Sequence, residues 1–122
     1  IRQQPLPGSA AKPVILQVAK GDQTVPNPTT TAIVRAGGLQ AQTTYFRNDL
    51  AFAANPAVPK NPHTFLTGLA SPAGPTIAVL AQTQIAEFFR SGGSLVIDPD
   101  GPGPLFEVPL VPPLPEGLNF LP

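Results

Sequence analysis

Cysteine is absent from the 122 residues, which excludes disulfides and thiolate metal sites and leaves the redox compartment open. Charge is scarce as well. Asp, Glu, Lys and Arg make up only 11% of the chain, against about 25% in an average soluble domain. A surface this poor in charge is either covered by other material or built from uncharged polar groups. The 7 basic and 7 acidic residues cancel, so no net field favours nucleic acid or an anionic membrane surface. No apolar run reaches the roughly 20 residues that a membrane-spanning helix needs. No internal repeat is visible, and His63 is the single histidine. The chain starts at Ile1 with neither a methionine nor a signal-like stretch, as expected of a processed product or a piece of something longer.

Proline is plentiful, at 18 residues, with 11 glycines beside it. Together they approach the level at which disorder is expected, but the prolines gather towards the two ends. Residues 1–12 read as an irregular leader, 13–97 as the folded part and 98–122 as a proline-rich tail. Proline cannot donate to a ladder, so the tail is not a regular central strand. Its Leu, Val and Phe residues imply that it wraps over an apolar surface.

Within the folded part, "PVILQVA" from Pro13 is a nearly continuous apolar run rich in β-branched residues. Such a run predicts a strand buried on both faces, as in parallel sheets. "GDQTVPNP" is a turn, after which Asn27 serves as N-cap and Pro28 as the first helical residue. The short helix that follows ends at Gly37-Gly38. "QTTYFRN" predicts a second strand, and Asn48 to Leu69 a loop punctuated by Pro56, Pro59 and Pro62. From Pro75 to Arg90, Ile77, Leu80, Ala81, Gln84, Ile85, Phe88 and Phe89 recur at helical spacing, predicting an amphipathic helix. "SLVID" after it offers one more short strand. A strand–helix–strand unit normally gives two parallel strands with a right-handed crossover. A strand apolar on both faces needs a neighbour on each side and helices above and below. The expectation is therefore the terminal part of a larger α/β sheet, completed by other polypeptide.

In open parallel sheets, reactive groups collect at the carboxyl ends of the strands. Asp22 follows the first strand and His63 lies in the loop after the second, so adjacent parallel strands bring both to one edge. Each has an ordinary reading by itself, Asp22 as a turn or capping aspartate and His63 as an exposed loop histidine. Together they form an acid and an imidazole of the kind that activates a serine hydroxyl.

The stretch "VILQVAKGDQTVPNP", with its Asp-x-x-Val-Pro, the helix, the second strand, "NPHTFL" and the last amphipathic helix resemble the C-terminal third of an α/β-hydrolase. The resemblance covers roughly residues 13–90 and is closest to bacterial lipases and esterases, including the large extracellular or surface-exposed virulence-factor lipase type. In that fold the triad runs in the order Ser, Asp or Glu, His. The resemblance thus implies Asp22 as the acid orienting His63 as general base, a carboxylic-ester substrate, export from a bacterial cell, and no cofactor. It implies a partner too, because the family's Gly-x-Ser-x-Gly nucleophile is missing. Ser9, Ser71, Ser91 and Ser94 all lie outside such a motif, and the oxyanion-hole donors are missing with it. The serine is expected on an N-terminal chain of the same precursor, and this chain alone is expected to be inactive.

Other residues have competing readings. Asp49 is the rival acid near the same edge. Asp98 and Asp100 in "DPDGPG" suggest either a tight turn or, with more oxygen ligands, calcium. Tyr45, Phe65, Phe88 and Phe89 read as core, while Phe65 and Leu66, beside the histidine, are also candidates for an acyl pocket. The rival function is a non-catalytic binding or structural module that presents its proline-rich segments as preorganised ligands.

Overall fold

The computed structural model describes residues 4–70 and 74–118. A small α/β arrangement emerges, with a mixed sheet of three strands in the order β1-β2-β3. Strand β1 spans Leu16–Ala19 and strand β2 spans Thr43–Phe46. They run parallel in the register Leu16↔Thr43 to Ala19↔Phe46. Helix α1, Asn27–Gly37, connects them, followed by a 3-10 turn at Gln40–Gln42. Gly38 ends α1 in the left-handed region, at φ 58°, and the N–H of Leu39 returns to the Val34 carbonyl at 2.9 Å. Glycine suits that position because it has no Cβ to clash.

The segment after β2 is more ordered than its prolines suggest. Helix α2, Asn48–Ala54, occupies the first part of the expected loop, and a 3-10 turn at Phe65–Thr67 follows the histidine. Ala51 and Val58 are buried there, so apolar contacts order a segment too short for helical periodicity to be seen. Helix α3 covers Gly74–Arg90, where the spacing of apolar residues puts it. Ile77, Ala78, Ala81, Gln84 and Phe88 are buried along it, but Phe89 is 72% exposed and is not core.

The third strand is the main departure. "SLVID" forms no strand; instead β3 is Phe106–Glu107, paired antiparallel to β2 through Tyr45↔Glu107 and Phe46↔Phe106. The sheet is mixed, not purely parallel as expected. Two residues free of proline let the tail pair at the edge, where its prolines on either side need no ladder partner. The burial of the strands is also inverted. All four residues of β2 are buried, whereas Leu16 and Gln17 of β1 are only half-buried. Strand β2 has a neighbour on both sides and β1, among the described residues, has one.

The register separates the two faces. Ala19, Phe46 and Phe106 share one face with Ala51, Val58, Ile77 and Ala81. Phe46 sits at its centre, 1% exposed, with the ring of Phe65 stacked at 5.1 Å and that of Phe106 at 5.3 Å. Val18 and Tyr45 share the other face, covered by Leu110 and Leu114 from the tail. A polar group bridges helix and sheet. Gln84 is fully buried, donating Nε2–H to Thr44 Oγ1 and to the Ile97 carbonyl, both at 2.6 Å, and accepting from Gln17 Nε2 at 2.8 Å.

Candidate functional site

The parallel register places the residues after β1 and β2 at one edge of the sheet. The chain leaves β1 through Lys20 and Gly21, the latter in the left-handed region at φ 80°, and turns into the loop that carries Asp22. Asn27 shapes that turn. Its buried side chain accepts the Gly21 N–H at 3.2 Å and donates to the Ala19 carbonyl at 2.8 Å. The expected helix cap is therefore a loop brace: Asn27 makes no capping bond, and Pro26 stands at the N-cap position.

Asp22 and His63 meet across the two loops, with His63 Nδ1 at 3.0 Å from Asp22 Oδ2. The other carboxylate oxygen, Oδ1, accepts the backbone N–H groups of Thr24 and Val25, both at 2.8 Å. Asp22 is thus a turn residue and a partner of the imidazole at once, one oxygen for each task. Burial pushes the carboxyl pKa up, but the hydrogen bonds from Val25, His63 and Thr24 outweigh it and hold the group below its ordinary value. An ionised carboxylate can only accept, so the neutral imidazole carries its proton on Nδ1, leaving Nε2 with a free lone pair. The Asp22 side chain is 13% exposed and that of His63 40%, so the acid is screened while the ring stays reachable. An imidazole so held can take a proton at Nε2 and be stabilised as the cation by the carboxylate behind it.

Asp49, the rival acid, is engaged elsewhere. Arg47 grips it with two bonds, Nε to Oδ1 at 2.9 Å and Nη2 to Oδ2 at 2.8 Å, and Lys20 Nζ adds a third at 2.8 Å. Arg47 also reaches Glu107 at 2.6 Å. The bonds from Arg47 hold the Asp49 carboxyl well below the usual carboxylate range. This cluster ties the ends of β1, β2 and β3 together and makes no bond to His63.

Phe65 and Leu66 both pack against the core around Phe46. Phe65 also lines a cavity of about 30 Å³ with Asn48, Asn61, Pro62 and Thr64. Asp100 closes a tight turn, its carboxylate accepting the N–H groups of Leu105 at 2.8 Å and Phe106 at 3.2 Å. Burial, then the hydrogen bond with Asp100, raise the Asp98 carboxyl. Among the described residues no group of three or more His, Cys, Asp or Glu side chains could hold a metal ion. Ser91 and Ser94 bond within the turn after α3, Ser9 lies in the leader, and Ser71 lies outside the described residues.

Two supporting residues, Asn27 and Asn61, escape a search for acids and bases. Both precede a proline, in "NPT" and "NPH". An Asn-Pro pair marks a turn whose amide side chain is free to bond nearby backbone, and that is the signal that could have singled them out. No helix of the described residues is long and apolar enough to cross a membrane. No protein-family model, curated protein or solved structure matches this chain.

Proposed function

We propose that this chain is the acid- and base-bearing portion of a serine carboxylic-ester hydrolase of the lipase or esterase kind, exported from a bacterial cell. In this reading His63 Nε2 takes the proton of a serine hydroxyl as it attacks the ester carbonyl, then returns it to the departing alcohol. Asp22 keeps the ring in the Nδ1–H tautomer and stabilises the imidazolium. The serine and its oxyanion donors come from a partner polypeptide, the N-terminal chain of the same precursor, bearing Gly-x-Ser-x-Gly. The observation that carries the proposal is the 3.0 Å contact between His63 Nδ1 and Asp22 Oδ2, made across 41 positions at the carboxyl edge of parallel strands. The rival reading, a non-catalytic binding or structural module, gives no reason for this pairing.

The test is made on the assembled enzyme. A serine-reactive phosphonate should label a second chain that co-purifies with this one. His63→Ala should lower ester turnover by several orders of magnitude, and Asp22→Asn by about a thousandfold or more. Near-normal turnover in either variant, or no serine-bearing partner in the intact-mass spectrum of the purified material, would sink the proposal.

A further inference from the structure

The hydrogen bond between Asp22 and His63 is not the only tie between their loops. Asn61, two residues before the histidine, accepts two backbone N–H groups on Oδ1, those of Gln23 and of His63, each at 3.2 Å. Its Nδ2 donates to Thr24 Oγ1 at 3.3 Å. Gln23 and Thr24 are the residues that directly follow Asp22. One amide side chain therefore holds the backbone of the base and the backbone beside the acid. The segment entering Asn61 is itself anchored, because the buried Asn48 donates Nδ2–H to the carbonyls of Pro59 at 3.2 Å and Lys60 at 3.3 Å.

Geometry makes this arrangement consequential. The ring and carboxylate lie on loops 41 positions apart, so no local turn sets their separation. A charge-assisted N–H···O bond loses its alignment when its partners shift by more than about half an ångström. The three Asn61 bonds, at 3.2–3.3 Å, lie at the long end of the hydrogen-bond range and add little to overall stability. What they set is the register of one loop against the other.

We propose that Asn61 is the positioning residue of the Asp22–His63 pair, clamping the acid loop to the histidine loop so that Nδ1 faces the carboxylate. The proposal rests on the reading of those two residues as acid and base, and adds what holds them in line. Asn61 touches no reacting atom. It acts through the His63 backbone and through Gln23 and Thr24.

Because His63 is the sole histidine, isotope-edited NMR of the whole chain shows one imidazole. The unaltered chain should give a downfield Nδ1–H proton in slow exchange with water, and Asp22→Asn should abolish it. Asn61→Ser retains an acceptor for the His63 N–H but is too short to reach Gln23 and Thr24. It should reproduce the spectrum of the Asp22→Asn variant. Asn61→Asp still accepts both N–H groups, and the Thr24 hydroxyl can turn to donate to it, so the Nδ1–H signal should return. A signal that persists in Asn61→Ser overturns the role of Asn61 and leaves the acid–base pair standing. An unaltered chain without the signal overturns the pair and the clamp together. Loss of the dispersed β1 and β2 amide resonances in Asn61→Ser would make Asn61 a general folding residue and also overturn the assignment.

Discussion

Asp22 and Asp49 are both acids at one sheet edge, and their partners separate them. Asp49 gives both oxygens to cations, whereas Asp22 divides its oxygens between two backbone N–H groups and an imidazole. Both carboxyls lie below their ordinary value of 3.8. A carboxyl whose folded pKa is depressed binds its proton more weakly in the native than in the unfolded state. Its stabilisation is complete above the unfolded value and is lost as the pH falls through the folded one. Denaturant unfolding followed from pH 6 downward should thus show stability declining once the pH passes below about 4. The decline should be shallower in Asp49→Asn, which removes the larger of the two shifts, and an unchanged slope would refute the pairing of Asp49 in solution.

At the scale of elements, α3 is joined to the sheet by apolar contacts and by one amide. Gln84 is fully buried and satisfies the Ile97 carbonyl, Thr44 Oγ1 and Gln17 Nε2 together. Replacing it with leucine leaves the Ile97 carbonyl and Thr44 Oγ1 without that donor, while Gln17 Nε2 keeps only its bond to the Ala81 carbonyl. An unpaired buried polar group costs on the order of 1–3 kcal/mol, so Gln84→Leu should destabilise by about 3 kcal/mol in a urea titration. A neutral or stabilising outcome would mean that the network breaks even against an apolar core. The helical spacing revealed this face of α3, and it gave no hint that a glutamine within it organises the strand and the segment after the helix. The pattern of apolar residues reports which side of a helix is buried, not which polar groups await it there.

Among the described residues, the segment after Leu105 packs on both the sheet and its edge. Leu110, 3% exposed, packs on Val18 and Tyr45, and β3 closes the second edge of β2. Arg35 pairs with Glu116, and Arg47 with Glu107, so the tail is tied both to α1 and to the sheet. Leu110→Ala should cost about 3 kcal/mol, as buried leucines do. Val111→Ala, at a side chain 67% exposed, should stay within about 0.5 kcal/mol of the unaltered chain. Equal effects at the two positions in thermal or chemical unfolding would show that the tail does not pack in solution.

The local chemistry of the chain was enough to place β1, β2, α1 and α3 and to bring Asp22 and His63 to one edge. Apolar period, turn residues and the preference for parallel crossovers act over short distances, and each leaves its mark in consecutive residues. Helix α2 lacked such a mark, being too short for its period to stand out among prolines. Strand β3 lacked one too, because a two-residue strand has no alternation to read and exists only where β2 offers an edge. Asn27 reads locally as a helix cap, and only the packed turn shows it bracing the backbone around Gly21. Local sequence was enough to put a carboxylate and an imidazole on the same side of the sheet. The tertiary structure alone decided that they meet at 3.0 Å, that Asp49 is taken by Arg47 and Lys20, and that an asparagine joins the two loops. The physical reason is that Asp22–His63, Gln23–Asn61 and Lys20–Asp49 lie 41, 38 and 29 positions apart, so strand register and loop packing set their separation, whereas Arg47–Asp49 and Asn61–His63 are local bonds between residues two positions apart.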